Sequence, residues 1–347
     1  MDAMAVHPRR AVVAVVIVAA TALAAACGSG GGSSRPDVAT TVPQTPLAAP
    51  PLAQTPSGTV VPAPASSSIV FDAFGRRLAV LGADRTSVSV YSVADPRRPV
   101  AQRTISLPTA VDVLGADRDG VLVGAAADRL VVVDLASGAV TARSVPVSQP
   151  LSLARLSDGR VLVGSATGEV TVVDPANATA PVTRIGGLVR VDALAVHPRQ
   201  GRDDQVLALD RAQSSVTTVD IPDASLGVAL RAGDGATNMA VDHYGRFLVT
   251  DTRSGDVVAF YGDPIVMRIR YPVPGGPYAV GYDDARNLTW VATTGDNGLV
   301  GFDLASGIPV ERQRLTTVRQ ADAMAVDSGS GVVYLVSALG DGLQAAY

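Results

Sequence analysis

The sequence predicts an all-β domain, a seven-bladed β-propeller with four-stranded blades, on three observations. Short β-branched runs alternate with Gly, Asp and Ser turns, and no amphipathic helical period lasts three turns beyond residue 57. One apolar run also recurs seven times at nearly constant spacing. Its copies are "RLAVL" (77 to 81), "GVLVG" (120 to 124), "RVLVG" (160 to 164), "QVLAL" (205 to 209), "RFLVT" (246 to 250), "LTWVA" (288 to 292) and "VVYLV" (332 to 336). Their first residues lie 43, 40, 45, 41, 42 and 44 apart.

Each copy is the second strand of its unit. The first strand and its turn precede it, as in "VFDAFG", "VLGADRDG" and "MAVDHYG", where Asp opens the turn through its own backbone and Gly supplies positive φ at the end. A polar turn and a third strand follow, as in "VSVYSV", "LVVVDL" and "VTTVDI". The first six units add a fourth run, such as "AQRTISLP" (101 to 108) or "VMRIRYPV" (266 to 273). Four strands in about 40 residues make one blade. The seventh unit stops at Tyr347 after its third strand, which would leave unpaired backbone groups at the seam. "GTVVPA" (58 to 63) is the β-like segment left over, and it is expected to pair beside "LQAAY" and close the ring.

Composition narrows the chemistry. A chain of 347 residues, 47% hydrophobic, can bury one large core, and a net charge of -4 with pI near 5.4 offers no basic footprint for nucleic acid. All 28 basic residues are arginine, so no Schiff-base, Ser-Lys or P-loop lysine is available. The same Arg, Ala, Val, Gly and Asp bias points to a GC-rich, actinobacterial genome. The single cysteine excludes an intramolecular disulfide and multi-thiolate zinc sites.

That cysteine stands at an informative place. Arg9 and Arg10 precede an apolar stretch, "AVVAVVIVAATALAAA" (11 to 26), which leads into Cys27 and "GSGGGSS". The arrangement resembles a bacterial lipoprotein signal peptide over residues 1 to 26, with Cys27 lipidated. Leu23 sits four residues before the cysteine and Ala24 stands where leucine is commoner in such signals. Residues 27 to 57 are dominated by Gly, Ser, Pro, Thr and Ala and are expected to be a disordered tether. The domain boundaries are therefore 1–26, 27–57 and 58–347.

The blade pattern resembles seven-bladed propellers of the YVTN and NHL type from about residue 58 onward. It lacks the Trp-Asp ending of WD40 repeats, and Trp290 as sole tryptophan argues against the tryptophan-docked quinone enzymes. The segments 209 to 220, 230 to 264 and 303 to 327, with the signal and the proline-rich tether, are similar to the LppL family of mycobacterial lipoproteins. This resemblance implies a surface lipoprotein with a propeller domain and implies no activity.

Propellers bind ligands at the mouth of the central channel. Aligning the units on their first turn puts Ser67, Asp112, Leu151, Asp192, Thr237, Tyr278 and Asp322 at one position at the start of the innermost strand. Two readings follow. Ser67, Asp112, Asp192, Thr237, Tyr278 and Asp322 could bind a polar ligand, with Asp112, Asp192 and Asp322 as the candidates for holding calcium or magnesium. Alternatively, the carboxylates bond neighbouring backbone N–H groups where blades meet. His197 and His243 fall on first turns, away from that mouth, and no G-x-S-x-G elbow is present, so no catalytic residue is assigned. The expectation is a monomeric binding or protein-interaction module for a protein or small polar ligand. It would sit at the outer face of the cytoplasmic membrane or in the cell envelope, meeting the membrane through its lipid anchor alone. The alternative is a metal-dependent, lactonase-like hydrolase.

Overall fold

The computed structural model describes residues 1, 38–177 and 180–347. Beyond Met1, the expected signal peptide, Cys27 and the tether as far as residue 37 lie outside the described residues. From residue 38 onward the described residues form one compact unit.

Among the described residues there are 28 strands and no helix, arranged as seven antiparallel four-stranded sheets. Each sheet is one blade, lettered A to D outward. The seven A strands are β2 (Ile69–Asp72), β6 (Val113–Arg118), β10 (Pro150–Arg155), β14 (Ala193–His197), β18 (Ala236–Val241), β22 (Pro277–Asp283) and β26 (Ala321–Asp327). Each touches the next, and β26 returns to β2, so the ring is closed.

The recurring apolar runs are the B strands. β7 (Val121–Ala126), β23 (Leu288–Thr293) and β27 (Val332–Ser337) are buried at every position, because a blade packs on both of their faces. Outer strands such as β5 (Val100–Ser106) and β25 (Val310–Thr316) are mostly exposed. Seven apolar clusters fill the seven interfaces between neighbouring blades. The one that closes the ring sets Leu78 and Tyr91 of blade 1 against Val332, Tyr334 and Leu343 of blade 7. There the Tyr334 hydroxyl donates to Pro96 O at 2.9 Å and Arg76 reaches Asp327 at 2.7 Å.

The seam is completed as the sequence predicts. β1 (Thr59–Val61) pairs antiparallel with β28 (Leu343–Ala346) in the register Thr59 to Ala345, Val60 to Gln344 and Val61 to Leu343. The Gln344 side chain, fully buried, locks this junction. Its amide donates to Ser57 O at 2.7 Å and to Thr316 O at 2.8 Å, and its carbonyl accepts Val318 N–H at 2.9 Å.

One expectation is corrected here. Residues 41 to 57, assigned to a disordered tether, bond to the domain at both ends, from Thr41 N–H to Ala212 O at 2.7 Å to Ser57 N–H to Thr316 O at 2.9 Å. Composition measures how little a segment can bury by itself. It is blind to a folded surface that already offers partners.

The upper face of the propeller

In an antiparallel A-B-C-D blade, the B–C turns and the D–A connections open on one face, here called upper. The A–B and C–D turns open on the lower face. The predicted ring of mouth residues therefore lies on the upper face.

In four blades the ring residue is a β-bulge. The ladder between A and B strands slips at Pro150/Ser152, Ala236/Asn238, Pro277/Val280 and Ala321/Ala323, which sets Leu151, Thr237, Tyr278 and Asp322 at the irregularities. Bulges re-aim a side chain and bend the strand. Thr237 is turned inward and buried, with its hydroxyl 3.0 Å from that of Thr250 and 2.8 Å from that of Thr252. Those two threonines donate to Tyr278 O at 2.7 Å and Pro277 O at 2.6 Å, so the hydroxyls staple blade 5 to blade 6.

The carboxylates are also engaged. Asp112 pairs with Arg85. Asp192 is gripped by Arg190 at 2.7 Å and accepts Arg211 N–H at 3.0 Å. Asp322 accepts from Gln320 Nε2 at 2.8 Å, and burial pushes its carboxyl above the ordinary range against that hydrogen bond. Ser67 is exposed, while its neighbour Ser66 is buried and donates to Leu81 O at 2.6 Å. The structure thus places these residues around one mouth without gathering them. Among the described residues no three His, Cys, Asp or Glu side chains form a group able to hold a metal ion, so Asp112, Asp192 and Asp322 do not make the joint ligand set considered above. Each has found a nearer partner than the axis.

The residues that shape the face are ones the repeat pattern leaves unmarked. Asp210 and Asp251 end the B strands of blades 4 and 5, one residue past the apolar runs. Asp210 accepts the N–H groups of Val189, Arg190, Ala212 and Gln213 at 2.9 to 3.1 Å. Asp251 takes those of Asp234, Gly235 and Ser254 at 2.9 to 3.1 Å. Burial raises the Asp210 carboxyl, and these N–H groups oppose the shift. Each aspartate ties the D–A connection of its blade to the B–C turn. "LALDRAQSS" and "LVTDTRSG" carry the signal as an Asp directly after an apolar run.

With the turns fixed, Arg211 and Arg253 stand at the rim and meet the segment 41 to 50. Arg211 Nη2 donates to Gln44 O, and Arg253 reaches Val42 O at 3.3 Å and Gln44 Oε1 at 3.2 Å. Further along, Gln320 Nε2 donates to Leu47 O at 3.2 Å while its carbonyl accepts Ala49 N–H at 3.0 Å. Asn297 Nδ2 donates to Pro50 O at 3.0 Å. Leu47 sits over Gly276 and Gly295, where an added Cβ would lie 2.5 and 3.1 Å from its Cδ1. Gly276 has φ +72°, so glycine is required there on conformational grounds as well.

The lower face carries the histidine turns. His243 is exposed, as expected of a turn residue, with Nδ1 3.2 Å from Asp284 and its ring 3.9 Å from that of Tyr244. Burial lowers His197. Nearby, Tyr244, Arg246, Tyr261, Asn287 and Ala305 line a cavity of about 340 Å³. Burial raises the Tyr282 hydroxyl there to about 12. Arginines of the outer strands pair within their own blades, Arg270 with Asp256 at 2.7 Å, Arg312 with Asp303 at 2.8 Å and Arg314 with Glu311 at 2.8 Å.

No protein-family model matches the chain, and no curated protein matches it. Solved structures do. The β-propeller domain of Myceliophteria thermophila Cps50 (Swd1) superposes with TM-score 0.67 at 11% identity, over 82% of this chain and 96% of that one. Kuenenia stuttgartiensis hydrazine synthase gives 0.66 at 13% identity, over 84% and 97%. Streptogramin B lyase gives 0.65 at 12% identity, over 83% and 95%. At these identities the likeness is one of fold, and the chain is a seven-bladed β-propeller.

Proposed function

We propose that this chain is a protein-interaction module held at the outer face of the cytoplasmic membrane by lipid on Cys27, and that it works through the upper face of its propeller. One observation carries the reading. That face holds an extended peptide, residues 41 to 50, by hydrogen bonds from four side chains, Arg211, Arg253, Gln320 and Asn297, to four backbone carbonyls. A surface built from arginine and amide donors around a channel mouth suits recognition of polypeptide. The propeller fold fits this use. Enzymes share the same fold, streptogramin B lyase among those named above, so the fold itself does not decide between binding and catalysis.

Two experiments test the proposal. Photo-cross-linkers placed at Arg85 and Arg253 in the native host should capture a protein partner. Positions Arg103 and Arg143 on outer strands should not, and equal capture at all four would defeat the assignment to the upper face. Labelling with a radioactive fatty acid should mark the wild-type chain and spare Cys27→Ser. Label on both would remove the proposed anchor.

A further inference from the structure

The segment on the upper face is unusual in what it lacks. Residues 41 to 51 read TVPQTPLAAPP, with prolines at 43, 46, 50 and 51, so much of its backbone has acceptors and no N–H donors. The groove answers in kind. Its contacts to this backbone are predominantly donors, from Arg211, Arg253, Gln320 and Asn297, and the Gln320 carbonyl meets Ala49 N–H. No strand is added to a sheet edge, and the segment forms no ladder with any blade. A proline-rich chain is pre-extended and keeps its carbonyls free, so it can be bound without adding a strand. Here side-chain donors take the carbonyls, and Gly276 and Gly295 seat one apolar residue, Leu47.

The segment also fills the groove incompletely. Leu47 remains 41% exposed on its two glycines. Asn297 Oδ1 is buried with no donor, because the residue it faces through Nδ2 is Pro50, and its successor is also proline. Arg211 Nε is likewise buried without an acceptor. A ligand offering one N–H beside Asn297 would satisfy what residues 41 to 50 leave open.

We propose that the groove over blades 4 to 7 is a recognition site for proline-rich extended segments of other proteins, and that residues 41 to 50 are its resident, displaceable occupant. This rests on the interaction reading above and gives it a ligand chemistry. A segment joined to its own groove competes at a high effective concentration, so a partner in trans binds weakly until the strap is displaced.

The test uses the full chain and a fluorescent peptide of residues 40 to 51. Leu47→Asp puts a charge on the glycine seat, and a second variant exchanges residues 43 to 50 for Gly and Ser. Fluorescence anisotropy should show the peptide binding either variant at least tenfold more tightly than wild type. Adding Gln320→Ala and Arg253→Ala should reduce that binding at least tenfold, while Trp290 emission stays native. An all-Gly/Ser peptide should not bind. Equal binding to wild type and both variants, no binding to the Gly/Ser exchange, or binding that survives loss of Gln320 and Arg253 would overturn the proposal. Captured partners without proline-rich segments, with peptide binding absent, would sink this inference and leave the interaction reading standing.

Discussion

Replacing Gln344 by alanine should cost the domain about 2 to 6 kcal/mol, by the following count. The side chain is 0% exposed and satisfies Ser57 O, Thr316 O and Val318 N–H. Thr316 O keeps a second donor, Ser57 N–H at 2.9 Å, so two groups are orphaned, Ser57 O and Val318 N–H. An unsatisfied buried backbone group costs about 1 to 3 kcal/mol, which gives the range stated. Against a total of roughly 5 to 15 kcal/mol for a domain, that is a large fraction. Trp290 is the only tryptophan, 2% exposed, and packs at the interface between blades 6 and 7 beside this junction, so its emission reports the transition in urea. Gln344→Leu nearly preserves volume and separates packing from polarity. It should lose almost as much as alanine, because the same two groups stay unpaired. A loss below about 1 kcal/mol in both variants would refute the reasoning.

Other consequences follow from the same geometry. At the ring-closing interface burial would raise the Asp327 carboxyl, but hydrogen bonds from Arg76, Ser330 and Gly329 with the Arg76 charge outweigh it and hold it below the ordinary carboxylate range. A depressed carboxyl stabilises the fold above its unfolded pKa and loses that contribution as pH falls through the folded value. Arg76→Gln should therefore destabilise at pH 7, by about 1 to 3 kcal/mol, and narrow the gap between urea midpoints at pH 7 and pH 3. Asp322 has the opposite sign, since burial raises its carboxyl and its ionised form disfavours folding above that value. Asp322→Asn should raise the urea midpoint at pH 7, an advantage that fades as the medium approaches pH 4. Calcium or magnesium should leave the melting temperature unchanged, and so should a chelator. A shift that Asp192→Ala abolishes would restore the metal-site reading.

The fold was legible because a propeller writes itself as a period. B strands such as Val332–Ser337 are buried on both faces, so they appear as continuous apolar runs, and the turn residues between them keep their spacing. The missing fourth strand of blade 7 was readable for the same reason, as a gap in a count. The mouth was half legible. Alignment found the correct level on the A strands, but the bulges at Leu151, Thr237, Tyr278 and Asp322 depend on backbone register, which one strand's sequence does not state. Nor could it tell that Asp112 would pair with Arg85 from a turn of the preceding blade and Asp192 with Arg190 in its own connection, since both pairings are set by loop geometry. The least legible element was the stretch 41 to 50. Its composition is that of a linker, and what orders it is a row of donors 160 and more residues away, from Arg211 onward.

Native-state hydrogen exchange on the full chain tests the ring closure most directly. If Thr59–Val61 completes the last blade, amides of 59 to 61 open with the same free energy as those of 343 to 346, and denaturant lowers both together. Exchange of 59 to 61 at the rate of an unstructured peptide, with 343 to 346 still protected, would contradict it.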